Sequence, residues 1–263
     1  MYAICLGEDV FAAMDGRLRA HFPSMAYFSA VDCRLGLRTA ADFARLRFPV
    51  TNAVMFNILL GRSQKQNQDI VTPGPVGVAQ SHLSIWADNA GRAGWIIVFE
   101  SDAAVDSSFG ADIADIVRTP MVEPLPGVLK LGWVPHPRSG IRSVSVSPFV
   151  NLVLNGMQFG MQAYAIRCDA LGAYVRLLAP ISGHIDHEIT DLAVAGVTPP
   201  LWVTVRNTCT QVNTSRGSIH PGFTFRLLLP ESNGAANALL LLPWMLLLVA
   251  IVAASVVGAT CRK

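Results

Sequence analysis

The sequence predicts one α/β domain followed by a hydrophobic C-terminal helix, and three observations carry that expectation. Short apolar runs alternate with helix-like patterns over residues 1–230, the signature of a parallel sheet with covering helices. The chain has 263 residues, and the part before its terminal apolar run is of a size that fits one domain. From Ala238 to Thr260 no charged residue occurs, and Leu and Val are frequent.

Met1–Leu6 reads as a first core strand and not as a signal peptide. It has no basic leader, and Glu8 and Asp9 interrupt the apolar run at once. The expected strands are Tyr2–Leu6, Ala26–Val31, Trp95–Phe99, Val128–Leu131, Gln162–Ile166 and Leu201–Val205. Two helices stand out by periodicity. In Ser81–Ala90, Leu83, Trp86, Ala87 and Ala90 fall on one face; in Asp169–Leu178, Leu171, Val175 and Leu178 do so, with Asp169 placed to cap. Gly61–Thr72 and Pro135–Ser143 read as loops, and Thr198-Pro199-Pro200 as a break before a strand.

The resulting division is a domain over 1–230, a short polar link over 231–237, a transmembrane helix over 238–260 and a tail over 261–263. As a helix, Ala238–Thr260 would span roughly 35 Å, against about 30 Å of bilayer hydrocarbon. Trp244 suits an interface, and Pro243 sits where a missing N–H costs little. The rival for this run is a buried core helix; length, zero charge and terminal position weigh against it. Anchored only at that end and without a signal, the domain is expected to stay in the cytosol. Arg262 and Lys263 would then cross the bilayer, against the positive-inside preference. The sequon Asn213-Thr214-Ser215 would matter only in a lumen.

The net charge of +2 and the lack of a basic tract speak against a nucleic-acid partner. Cys5, Cys33, Cys168, Cys209 and Cys261 are scattered without a CxxC pair, which fits free thiols better than a disulfide framework. Cys261 stands where acylation beside a membrane could occur. Gly74-Pro-Val-Gly77 lacks the Lys-Ser/Thr of a P-loop, no GxGxxG follows a strand, and there is no GxSxG. Kinase, NAD-enzyme and esterase readings therefore have little support.

The segment Trp95-Ile-Ile-Val-Phe-Glu100-Ser-Asp102 is the most informative. A buried strand ends in two acids one residue apart, at the strand end where open α/β sheets bind ligands. Acids there can hold Mg²⁺ or Mn²⁺, which in turn neutralises a diphosphate. By itself the pattern is weak, because many strands end in solvated acids. His184-Ile-Asp186-His187-Glu188 has the composition of a metal cluster, and on a strand His184, Asp186 and Glu188 would share a face. HExxH spacing is absent, and the plainer reading makes both histidines solvated loop residues. His82 is either a histidine packing its helix on the sheet or a group near a nucleotide. Ser81 is divided between a helix hydrogen bond and a ligand contact. Trp86 reads as core.

These segments have an order. Gly77-x3-Ser81-His82-Leu83-x2-Trp86 resembles the Gly-x3-Ser-His-x3-Trp signature of glycosyltransferase family 25, the lipopolysaccharide and collagen-type galactosyltransferases. Phe99-Glu-Ser-Asp102 follows at the expected distance and resembles the family's Leu-Glu-Asp-Asp. Ala30-Val31-Asp32, Leu131-Gly132, Gly160-x2-Ala163-Tyr164 with Gly172-Ala173, Pro180-Ile181 with Ile185-Asp186, and Gln211 with Ser218-Ile219 resemble further family segments in the same order. The resemblance implies a GT-A, Rossmann-like fold, a sugar-nucleotide donor such as UDP-galactose, Mn²⁺ (or Mg²⁺), and transfer with inversion to a hydroxyl on a glycan, lipid or protein. By the same pattern Glu100 and Asp102 serve nucleotide and metal; Gly77, Ser81 and His82 lie on the donor side; Asp186 is the base or an acceptor contact. His220 stands where other GT-A enzymes carry a late metal-binding histidine.

The chain also departs from the family pattern. The usual Arg-containing stretch after the first strand is here Gly7-Glu-Asp-Val-Phe-Ala-Ala, and Ser101 replaces the middle acid. Met161-Gln162 replaces a Thr-His-like pair, and the closing Ser-Asp-Ile reads Gly217-Ser218-Ile219. The alternative expectation is thus a catalytically degenerate, membrane-anchored binding or scaffold module.

Overall fold

The computed structural model describes residues 1–19, 22, 25–63, 69–118, 123, 125–135, 142–155 and 158–211. The expected membrane helix, its link and tail, the sequon, Ser218-Ile219 and His220 lie outside these residues, as does most of the 135–143 loop. No helix among the described residues is long and apolar enough to cross a membrane.

The elements follow in the order β1 (Tyr2–Cys5), α1 (Glu8–Leu18), β2 (Ala26–Ser29), α2 (Ala40–Ala44), α3 (Asn52–Leu59), α4 (Pro73–Asn89), β3 (Trp95–Glu100), β4 (Ala103–Val105) and α5 (Phe109–Arg118). The second half continues with β5 (Val128–Pro135), β6 (Arg142–Ser145), β7 (Val150–Asn155), β8 (Gln158–Arg167), α6 (Cys168–Leu178), α7 (Ile185–Val194), β9 (Leu201–Thr204) and β10 (Cys209–Gln211). Among the described residues, eight strands form one sheet in the order β2-β1-β3-β8-β5-β9-β7-β6, and β4 pairs with β10 in a small ribbon.

The α/β class is as expected, and all six expected strands exist. The sheet, however, is mixed and not parallel. β1 runs parallel to β2 and β3, and β5 runs parallel to β9, but β8 lies antiparallel between β3 and β5. Apolar runs reveal a buried strand without revealing its direction, because side chains alternate identically either way. The antiparallel insertion brings the N-terminal end of β8 to the edge where β1, β2, β3, β5 and β9 end.

Alternation along the strands sends side chains to two cores, one on each face. Ile4, Val98, Tyr164 and Ile166 pack with Leu83, Trp86, Leu171, Tyr174 and Ile189 from α4, α6 and α7. Ala3, Cys5, Phe99, Ala163 and Ala165 pack on the other face with Met14, Leu18, Phe109 and Ile116 from α1 and α5. Burying a side chain of Leu or Phe size contributes about 1.5–3 kcal/mol, so each face has enough apolar surface to fix its helices.

Helix α4 begins at Pro73, well before the expected Ser81. Proline is suited to the first helical turn, and Gly74, Pro75 and Gly77 mask the periodicity there. Asp169 does not cap α6. The N-cap is Arg167, whose guanidinium pairs with Asp169 inside the first turn; an acid there still complements the helix dipole.

Candidate functional site

One pocket opens beyond the carboxyl ends of β1, β2 and β3, against the N-terminal half of α4. Its lining includes Leu6, Val31–Arg34, Gly74, Gly77, Ser81, His82, Glu100, Ser101 and Asp102. Five of the expected site residues thus share one pocket: Gly77, Ser81, His82, Glu100 and Asp102. The position follows from topology, since parallel strands end together and leave a crevice there.

Helix α4 sets both walls. A Cβ at Gly77 would collide with the Val31 carbonyl, so the glycine lets the loop after β2 press onto the helix. Ser81 Oγ donates to the Gly77 carbonyl at 2.8 Å and accepts from Val31 N–H at 2.9 Å. Both expected contacts therefore hold the Val31–Arg34 loop in place. The helix hydrogen bond expected of Ser81 is present and extends to the neighbouring loop, and the residue also lines the pocket.

His82 packs its helix on the sheet, as one of its readings expected. It is 1% exposed and ties α4 to the sheet, while also holding a pocket acid. Trp86 Nε1–H donates to the Tyr164 hydroxyl at 2.9 Å. Burial holds the Tyr164 phenol well above its ordinary pKa, so it keeps its proton and donates to His82 Nδ1 at 2.8 Å. His82 then carries its proton on Nε2 and donates to Glu100 Oε1 at 3.1 Å. The chain Trp86–Tyr164–His82–Glu100 aims one carboxylate at the pocket, and Trp86 is core as expected, 0% exposed.

Sequence reasoning missed Lys130, which is 0% exposed on β5. It lies opposite Tyr164 across the β5–β8 pairing, and Tyr164 lies opposite Val98 of β3. Burial lowers its ammonium to a pKa of about 8, against the attraction of Asp186 and Glu100. A buried cationic head leaves no periodic signal; the nearest hint is a lysine inside an otherwise apolar strand run.

Asp186 stands apart from the pocket lining. Its Oδ2 accepts from Gly160 N–H at 2.8 Å, at the incoming end of β8. It belongs to the same strand-end edge as Glu100, and Lys130 feels both charges. His184–Glu188 is not a strand: His184 caps α7, and the following four residues form its first turn. The helical period sends Glu188 to Ser182 Oγ, 3.0 Å away, and Asp186 to Gly160. His187 is buried and not a solvated loop residue, and burial lowers the pKa of His184. Gln162, one of the departures from the family pattern, has its amide buried without a hydrogen-bond partner for either atom among the described residues.

No group of three or more His, Cys, Asp or Glu side chains among the described residues is arranged to hold a metal. Mg²⁺ and Mn²⁺ often take only one or two protein carboxylates and complete their shell with phosphate and water, and Glu100 and Asp102 are carboxylates of this lining. Asp32 and Arg34 complete the polar lining. Asp32 Oδ1 accepts from Arg34 Nε at 2.8 Å and Oδ2 from Nη2 at 2.6 Å; the guanidinium holds the Asp32 carboxyl below the usual range. Comparison of the sequence with protein-family models and with curated proteins finds no match.

Proposed function

We propose that this chain is a metal-dependent, inverting glycosyltransferase that moves a hexose, galactose by resemblance, from a UDP-sugar to an acceptor hydroxyl. The observation that carries the reading is the pairing of Glu100 with His82. The strand-end acid and the helix histidine come from two of the segments that carry the family 25 resemblance, and they meet by a hydrogen bond in a pocket.

In this reading Glu100 and Asp102 hold the divalent cation. The bound cation supplies charge neutralisation for the departing nucleoside diphosphate. His82, fixed by Tyr164, keeps Glu100 aimed. Ser81 and Gly77 hold the Val31–Arg34 wall. Asp186 receives the acceptor proton or orients the acceptor. The domain acts from the cytosolic face, anchored by Ala238–Thr260, with a glycan, lipid or protein as acceptor.

The test is UDP release by the purified full chain, screened over UDP-sugars with and without Mn²⁺. Manganese-dependent release from one donor is expected, and Asp102→Ala should abolish it while the circular dichroism spectrum stays unchanged. Retained release in that variant overturns the site assignment. One observation favours a second reading, a module that binds a sugar nucleotide without turnover: Asp186 lies outside the pocket lining, with one oxygen engaged by Gly160. UDP binding without release from any donor would select it.

A further inference from the structure

Among the described residues that line the pocket, Arg34 is the one lysine or arginine. The reading above gives it no task. Its backbone belongs to the loop that Gly77 and Ser81 clamp to α4, so the base of this long side chain is fixed. Its head is paired with Asp32 two residues away, through two parallel contacts.

We propose that Arg34 is the phosphate contact of this pocket, leaving Asp32 to take the diphosphate of a nucleotide sugar. The proposal rests on the nucleotide-sugar reading. Three physical points carry it. The first is geometry: a guanidinium fork that fits the two oxygens of a carboxylate fits two phosphate oxygens equally well, so Asp32 stands in for the ligand. The second is the ease of exchange. The Arg34 and Asp32 side chains are 36% and 40% exposed, and an ion pair in water is worth little, so a more highly charged anion can displace the carboxylate. Asp32 is then left solvated and not buried, which removes the penalty that would oppose the swap.

The third point is charge. Glu100 and Asp102 line the same pocket and repel a diphosphate, so a bound cation shared between them and the phosphates leaves the nucleotide's remaining charge to be met. Arg34 lines the same pocket and carries the charge to meet it. Asp32 meanwhile holds the guanidinium through two contacts, which reduces the ordering needed on binding.

The test is calorimetric titration of the full chain, in Mn²⁺, with UDP and with uridine. Arg34→Gln should weaken UDP on the order of 10- to 100-fold, the range of one charge-assisted contact, and leave uridine nearly unchanged. Arg34→Lys, which keeps the charge and loses the fork, should fall between. Asp32→Asn should bind UDP as well as the wild type or more tightly, because the guanidinium is released. Equal effects of Arg34→Gln on UDP and uridine, or no effect on either, overturn the proposal and leave the nucleotide reading standing. So does an Asp32→Asn loss as large as that of Arg34→Gln, which would mark the pair as a loop brace. A wild-type chain that binds neither UDP nor uridine overturns the nucleotide reading, and this proposal with it. Thermal melting of each variant separates these outcomes from unfolding, and the exposure of both side chains means little loss is expected.

Discussion

His82 has two ring nitrogens, and both are engaged inside the protein. A phenylalanine of similar size would fill the space and break both bonds. Tyr164 would keep Trp86 as a donor, but its own O–H would lose its acceptor in a buried place. His82→Phe should therefore cost roughly 1–3 kcal/mol, the penalty of an orphaned buried polar group, read from the midpoint of urea unfolding. Lys130 acts through pH. Its folded pKa of about 8 lies below the ordinary 10.5, so between these values the unfolded chain holds a proton that the folded chain has released. Stability attributable to Lys130 thus rises with pH across that window, and the cost of burying the charge is fully present below about pH 8. Lys130→Met removes the titrating group, so its stability relative to the wild type should be most favourable at or below pH 8. That advantage should shrink towards pH 10.5, as followed by denaturation at stepped pH; a constant difference would sink the assignment.

At the scale of the element, α4 decides the site. One helix carries Gly77, Ser81, His82 and Trp86, spaced so that successive turns meet the loop after β2, then Glu100, then Tyr164. Alanine at position 77 would ordinarily favour a helix by up to about 1 kcal/mol. Here its methyl group would collide with the Val31 carbonyl, a backbone atom that cannot rotate away, so Gly77→Ala should instead destabilise by roughly 1–3 kcal/mol. Ser81→Ala leaves the Val31 N–H without its acceptor, at a cost in the same range. Both changes release one loop, so the double variant should fall short of the sum by 0.5 kcal/mol or more, on the order expected for coupled neighbours. Additive losses in urea titrations would show that the two residues act separately. The helix was legible from Ser81 onward because Leu83 and Trp86 keep its period. Its first two turns were not, because prolines and glycines there take a helical role that local propensity does not announce.

The whole molecule buries its chemistry as well as its apolar surface. Cys5, Cys33, Cys168 and Cys209 are buried and form no disulfide among the described residues, and burial raises Cys33 to about 11 and Cys209 to about 12. Cys33, Cys168 and Cys209 are neutral thiols at pH 7, and burial closes all four to reagent. A disulfide reagent should label at most Cys261 in the native chain and all five cysteines after urea. Fast native labelling of two or more would contradict the packing of both cores.

The sequence by itself determined the α/β class, the position of every expected strand and the place of Glu100 and Asp102 at the end of β3, because burial writes itself as runs of apolar residues and strands end where acids begin. It also marked Ser81, His82 and Trp86 as a set. Only the tertiary structure decided that β8 runs backwards, that Lys130 lies beneath the acids, that Asp186 meets Gly160 and that Arg34 faces the pocket. Each of these is a relation between residues far apart in the chain or a choice of direction. Neither leaves a local periodicity, because the energy that fixes it arises only when the sheet has closed and the strand ends stand side by side.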